Sequence, residues 1–190
     1  MKTFLSITLL VAATSLAGAA AAETEAGAPP VVRLETTMGN IDIELYPDRA
    51  PETVANFLDL VDNSFYSDLI FHRVVAGFVI QAGGYDEAMT YRTPPRTVAN
   101  ESANGLSNQQ YTVAMARLSD PDSADSQFFI NVRHNPHLDG DRTKAGYTVF
   151  GQVVAGKDVV TAIELVDTHL EAGMAGVPEK DVTITKAFRL

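Results

Sequence analysis

After Pro30 the chain alternates apolar and polar residues from Val31 to Thr36. It does so again where Ile41, Ile43 and Leu45 face away from Asp42 and Glu44, the two-residue period of a half-buried strand. Met38-Gly39-Asn40 lies between the two runs as a turn, so a β-hairpin is expected. The period then changes. Val54, Phe57, Leu58 and Val61 follow Pro51 at the i, i+3, i+4, i+7 spacing of one helical face, with proline where a first turn tolerates it and Asn63-Ser64 as the stop. That stripe is expected to pack onto the sheet rather than to receive a partner.

Two short apolar runs come next, Phe71 to Val75 and Phe78 to Ile80, separated by Ala76-Gly77 and closed by Gly83-Gly84. They predict two strands and a tight turn. Tyr85 to Gln110 has no period and contains Arg92, Pro94-Pro95 and Asn104-Gly105, too long for an idle connection and expected to border a binding groove. Thr112 to Ala116, Gln127 to Asn131 and Thr148 to Val154 predict three further strands. Helical spacing returns at Val159, Ile163 and Val166, and Val182 to Arg189 predicts a final strand. Many short strands with two helices, no βαβ alternation and no internal repeat argue for a mainly β fold, an antiparallel barrel or sandwich.

Two polar residues interrupt the apolar runs. Arg73 and Gln81 carry donors that a strand does not need for folding and that are costly to bury without partners, which makes them candidates for chemistry. The bland alternative is a solvent-facing arginine and glutamine on a half-buried strand.

Composition narrows the class. With 46% hydrophobic residues among 190, the chain can bury one sizeable core, so one globular domain is expected. A net charge of -10 argues against a nucleic-acid partner, which would need clustered lysine and arginine. With no cysteine, disulfides, thiolate metal sites and cysteine nucleophiles are excluded. Lys2, the apolar run Phe4 to Ala13 and the small residues Ala20-Ala21-Ala22 form the pattern of a cleaved secretory signal, and Thr14, Ser15 and Gly18 break the run too early for a membrane span. The expected organisation is a signal peptide over 1-22, a flexible leader over 23-30 and one domain over 31-190. The expected location is a bacterial periplasm, with no membrane association after cleavage. Asn100-Glu101-Ser102 matches a glycosylation triplet that such a protein would normally leave bare.

Three ordered motifs are more specific than any one of them. F-H-R-V-V-A-G-F-V-I-Q-A-G-G at 71-84, S-Q-F-F-I-N-V at 126-132 and Y-T-V-F-G at 147-151 together resemble the cyclophilin family of peptidyl-prolyl isomerases, over about Val31 to Leu190. The resemblance implies a closed eight-stranded antiparallel β-barrel capped by two α-helices. It also implies catalysis of X-Pro isomerisation on proline-containing polypeptides, with no cofactor and no metal. By the family pattern Arg73 is the catalytic donor and Gln81 binds substrate backbone. Phe78, Val79, Met115, Phe129 and Leu138 form the proline pocket, walled by Tyr147, and Ala116, Arg117 and Gln127 meet the residues before proline.

This chain departs from the best-known eukaryotic members at three of these positions. Val79 replaces a methionine, Tyr147 a histidine, and His137 the tryptophan that contacts the inhibitor cyclosporin, which implies weak cyclosporin binding. A monomer is expected.

Other readings leave more residues unexplained. A serine hydrolase could draw on Ser126, His134 and His137, but there is no G-x-S-x-G elbow. The histidines His72, His134, His137 and His169 lack the spacing of a zinc site. A barrel carrying a small apolar ligand gives Arg73 and Gln81 no role. A peptide-binding chaperone on the same fold, without turnover, is the nearest alternative.

Overall fold

The computed structural model describes residues 28-141 and 143-190; the expected signal peptide and most of the expected leader lie outside these described residues. The hairpin is present as β1 (Val31–Thr36) and β2 (Gly39–Leu45). Its register sets Val32 against Ile43 and Leu34 against Ile41, all four fully buried, while Arg33 faces Asp42 across the outer surface with paired contacts of 2.7 and 2.8 Å. Next comes α1 (Pro51–Asp62), with Pro51 in its first turn and Val54, Phe57, Leu58 and Val61 buried.

The helix start has no side-chain cap of its own. Glu101, far along the irregular segment, accepts hydrogen bonds from the Glu52 and Thr53 amides at 3.1 and 2.9 Å. A carboxylate is well suited there, since it satisfies orphan N-H groups at the positive end of the helix dipole. One contact thus serves two elements, α1 and the long segment.

The remaining elements are β3 (Leu69–Ile70), β4 (Arg73–Val75), β5 (Val79–Ala82), β6 (Thr112–Met115), β7 (Phe128–Asn131), β8 (Val149–Ala155), α2 (Lys157–Glu164), β9 (Thr168–Glu171), β10 (Met174–Pro178) and β11 (Thr183–Arg189). One antiparallel sheet runs β3-β11-β1-β2-β8-β6-β7-β5-β4. Its two end strands, β3 and β4, are halves of a single run broken only at Phe71-His72, so the chain itself joins the two edges. Counted as one strand, they give the eight-stranded closed barrel expected from the resemblance. Closure matters because an open sheet edge is a template for unwanted pairing.

The barrel is filled by its own side chains. Phe57 of α1 sits among Tyr66, Phe128 and Phe150 with ring centroids 5.1-5.6 Å apart, and Val160 and Ile163 of α2 join the same core. A carrier of small apolar ligands would need that space, so the packed interior excludes the carrier reading. Helix α2 ends at Glu164, leaving Val166 beyond it, and buries Val160, which the spacing of Val159, Ile163 and Val166 had not singled out.

The hairpin β9-β10 was not expected from the sequence. All four residues of β9 are exposed, so no apolar alternation marks the strand. It is fixed instead through β10, where a Cβ on Gly176 would come within 2.7 Å of the Val74 carbonyl oxygen. Only glycine allows that approach at φ +84°.

His72, at the break between β3 and β4, is 2% exposed, and its Nδ1 has no hydrogen-bond partner. Its ring lies 4.8 Å from that of Tyr85. Burial pushes the imidazole down to about 4; hydrogen bonding to the Ile70 backbone and the Gln127 side chain offsets this only in part, and the nearby Arg73 charge lowers it further.

The unfolded chain therefore takes up a proton near pH 6.5 that the folded chain refuses until about 4. Stability should fall by up to about 3 kcal/mol as pH drops through that window and level off below it. The interval from pH 6.5 to 5 is diagnostic, because most carboxylates have yet to titrate there. Urea denaturation at a series of pH values should show this slope in the wild type and lose it in His72→Gln. An equal slope in both proteins would assign it to another group.

Candidate active site

Strand alternation sorts the barrel residues onto two faces. On β5 Ile80 and Ala82 point into the core while Val79 and Gln81 point outward, and on β7 Phe128 and Ile130 point in while Phe129 points out. Pairing then lines up the outward residues. Arg73 lies opposite Gln81, Gln81 opposite Phe129, Phe129 opposite Ala114, and Ala114 opposite Val149, a single row across β4, β5, β7, β6 and β8.

One end of that row is polar and the other apolar. Arg73 Nη1 donates to Gln81 Oε1 at 3.3 Å, and Gln81 Nε2 donates to Gln127 Oε1 at 3.0 Å. Among the described residues Arg73 makes no ion pair. Its charge is therefore aimed by a neutral partner and not cancelled by an acid.

Beside Arg73 is a cavity of about 170 Å³ lined by Phe78, Val79, Gln81, Ala116, Arg117, Phe129, Leu138 and Tyr147 as well as Arg73 itself. Nine of the residues named from the sequence are thus brought together. Phe129 and Tyr147 meet edge to face at 5.6 Å, and a second apolar cluster of Val79, Ala114, Phe129 and Val149 underlies the wall, with Leu106 packed against it. Leu106 and Val149 had not been named. A cavity of this size, smaller than a general ligand pocket, suits one small ring.

The other named residues fall elsewhere. Met115 is a correction: it is 1% exposed and belongs to the barrel core, because on β6 it alternates with the outward-facing Ala114 and Ala116. Gln127 lines an adjoining cavity of about 370 Å³ and reaches the first only through Gln81. His137 is exposed at the rim, stacked on Phe78 with centroids 5.6 Å apart and planes 20° apart.

Arg117 lines both cavities, but each of its three side-chain nitrogens already donates to a backbone carbonyl. Nε bonds the Gly146 carbonyl oxygen at 3.0 Å, Nη2 that of Ala145 and Nη1 that of Leu118, each at 2.9 Å, and the guanidinium lies 4.7 Å from the centre of the Tyr147 ring. It acts as a strut behind Tyr147 more than as a free hand for substrate.

The pocket loops are tied down from beneath by buried amides. Asn135 Nδ2 donates to the Phe78 carbonyl oxygen at 3.0 Å and to Asn131 Oδ1 at 2.8 Å. Asn131 bonds Asn108, and Asp139 accepts from both nitrogens of Asn108. The three asparagines are fully buried, and those hydrogen bonds offset the cost of burying them.

No hydrolase site emerges from this arrangement. Ser126 is fully buried and donates to the Gly83 carbonyl oxygen, while Asp139 accepts from Ser107 and Asn108 and makes no hydrogen bond to His134 among the described residues. The adjoining cavity brings in Tyr85, Tyr91 and Asp125, which no sequence motif had marked.

Comparison with known proteins identifies the family of the chain. The family model described as cyclophilin-type peptidyl-prolyl cis-trans isomerase/CLD matches residues 31-188. A peptidyl-prolyl cis-trans isomerase of Acinetobacter baylyi is 47% identical over 154 residues, covering 81% of this chain and 82% of the relative. Peptidyl-prolyl cis-trans isomerase B of Escherichia coli is 45% identical over 157 residues, covering 81% and 96%. A crystal structure of a Cryptosporidium parvum cyclophilin-type isomerase in the presence of the dipeptide Ala-Pro is similar at TM-score 0.69 and 26% identity, covering 83% of this chain and 96% of that one. The chain therefore belongs to the cyclophilin-type peptidyl-prolyl cis-trans isomerases, enzymes that rotate the peptide bond preceding proline.

Proposed function

We propose that Arg73 is the group that accelerates X-Pro rotation here, acting on secreted polypeptides in a bacterial periplasm. The observation that carries this reading is a cation held by a neutral glutamine at the edge of an apolar pocket.

The barrier to rotation is about 18-20 kcal/mol because the amide nitrogen shares its lone pair with the carbonyl. Before proline both isomers are populated, and uncatalysed exchange takes tens to hundreds of seconds. No covalent bond has to break. The enzyme needs only to hold the twisted amide better than the planar one.

On twisting, the nitrogen regains its lone pair and becomes an acceptor, which a permanently charged guanidinium rewards selectively. The proline ring lies on Phe78, Val79, Phe129 and Leu138 with Tyr147 as a wall, and Gln81 and Ala116 meet the backbone leading to it. Arg117 and Gln127 shape the floor.

A well-placed donor contributes roughly 2.7-4 kcal/mol, about a hundred- to a thousand-fold. The apolar pocket adds to this, because the planar amide is the more polar form and loses more on leaving water.

The signal pattern of residues 1-22 supports the periplasmic assignment, with residues 23-30 as a leader and the isomerase domain from residue 31. The domain acts as a monomer on proline-containing polypeptides in general.

Three outcomes check this assignment. Arg73→Ala should lower kcat/KM by about a hundred- to a thousand-fold with the circular dichroism spectrum unchanged. Arg73→Lys should recover little, since an ammonium cannot reproduce the planar fork. Near-wild-type turnover in either folded variant would mean that another group is the donor.

Exhaustive chelation should leave the rate unchanged, because neither the donor nor the pocket requires an ion. Activity lost to EDTA and restored by zinc would contradict this.

Cyclosporin should inhibit weakly, because His137 offers its apolar side chains a smaller and more polar ring than the family's usual tryptophan. His137→Trp should bind it more tightly while turnover of a small proline peptide stays the same. A tryptophan variant that gains no affinity would remove His137 as the determinant.

A further inference from the structure

The proline pocket and the adjoining cavity share three lining residues, Gln81, Ala116 and Arg117, so the two form one cleft. A peptide laid along it is extended, because proline keeps the residue before it out of the helical region. Side chains alternate along an extended chain, so the one two residues before proline leaves the backbone on the same side as the proline ring. With the ring in its pocket, that side chain enters the adjoining cavity.

The part of this cavity that the pocket does not share is aromatic and acidic. Tyr85 and Tyr91 stand with ring centroids 5.4 Å apart and planes 60° apart, and Leu118, 76% exposed, adds an apolar edge. Asp125 is the acid on the lining. Its Oδ1 accepts from the Ser126 amide at 2.5 Å and its Oδ2 from the Tyr91 hydroxyl at 2.6 Å, which fixes the carboxylate with neutral donors; among the described residues it makes no ion pair. The segments that supply these walls, 85-91 and 118-125, carry Asp86, Glu87, Asp120, Asp122 and Asp125 and no lysine or arginine.

Arg117 is the cation on the lining, at the end shared with the pocket. Three backbone carbonyl oxygens and the Tyr147 ring already face its guanidinium, whereas no cation faces Asp125 among the described residues. Arg92, next after Tyr91, donates to the carbonyl oxygens of Phe65 and Ser67 and is not on the lining. The side chain that suits the far end is therefore long, apolar along its stem and positive at its tip. Its methylenes cover Tyr85 and Leu118, and its charge meets Asp125 and the tyrosine faces.

We propose that Asp125, held by Tyr91, is a specificity-determining residue that favours lysine or arginine two residues before proline. The inference rests on the proline ring occupying the pocket of Phe78, Phe129 and Leu138. The Tyr91-Asp125 pair is open to solvent, so a charge arriving there gains what a surface ion pair gains.

The test compares proline peptides that differ only two residues before proline, with lysine, norleucine or glutamate there; norleucine keeps the length of lysine without its charge. Lysine should lower KM about two- to fivefold relative to norleucine with kcat unchanged, and glutamate should raise it. The advantage should shrink at high salt and vanish in Asp125→Asn, whose fold is checked by thermal melting. Moving the lysine to the residue next to proline should bring no advantage, which separates this contact from general attraction to an acidic protein. The salt and position comparisons are read in the wild type, so they stand even if Asp125→Asn disturbs the Ser126 loop.

Equal KM for lysine and norleucine, the same advantage at both positions, or an advantage that survives in Asp125→Asn would each overturn the role of Asp125. The pocket assignment fails separately. Replacing proline by alanine in the lysine peptide should abolish measurable binding to the wild type, and an unchanged Kd would overturn the placing of the proline ring, so the two failures are distinguishable.

Discussion

The site depends on the register of the sheet more than on any single contact. In a pleated strand successive side chains point to opposite faces, so one slip of pairing would send every outward residue of that strand into the core. Arg73, Gln81, Phe129 and Ala114 form one row only because β4, β5, β7 and β6 pair as they do. The register is fixed from the other face. Val74, Ile80, Phe128, Ile130 and Val113 are buried in the core, and a slip of β5 or β7 would expose those side chains while burying Gln81. A packed interior thus aligns a polar end and an apolar end that it does not itself touch. The β8 pairing adds a local refinement, since a register shift lets Phe150 enter the core while Val149 backs the pocket.

The loops of the site are held differently, by polar groups that reach them from a distance. Asn135 fixes the Phe78 carbonyl, Arg117 the carbonyls of Ala145 and Gly146, and Glu101 joins the long segment to α1. Glu164 of α2 accepts from the Gly77 amide at 2.7 Å, which steadies the turn between Arg73 and Phe78. Buried polar groups cost free energy unless fully bonded, but bonded groups are directional in a way that apolar packing is not. A pocket that discriminates a twisted from a planar amide needs such direction, because the two forms differ by a rotation and hardly at all in volume.

What the sequence disclosed follows the same division. The hairpin β1-β2, the stripe of α1 and the strands β5 to β8 were legible because their periods reflect burial, and the three motifs hold six of the nine named residues that line the pocket, Ala116, Arg117 and Leu138 being supplied by the family resemblance outside them. Met115 was misplaced because its neighbours Ala114 and Ala116 face the groove and residue type alone does not give the face; counting alternation from Ala114 does. The hairpin β9-β10 carries no period, as its first strand is wholly exposed. Tyr91 and Asp125 are 34 positions apart on irregular chain and meet only after folding. No local pattern could bring them together.

The neutral partner of Arg73 bears on how much that guanidinium can contribute if it is the donor, as proposed. Two unit charges 4 Å apart attract by about 4 kcal/mol at the effective dielectric of a protein surface, so an acid in place of Gln81 would hold the guanidinium firmly. It would also spend the charge. An ion-paired guanidinium offers less to a developing lone pair, and the pair would have to loosen as the amide twists, subtracting from the roughly 2.7-4 kcal/mol that a preorganised donor supplies. Gln81 accepts one N-H and leaves the charge whole. The cost is weaker aim, since a 3.3 Å bond to an amide oxygen directs a long side chain less firmly than a carboxylate would. Phe129, paired with Gln81 across the strands and packed against Tyr147, limits the space into which Gln81 could turn. Apolar packing on one side and a neutral hydrogen bond on the other thus hold a cation in place without neutralising it, and a surplus of acidic residues elsewhere in the chain, screened over about 10 Å, does little to cancel it.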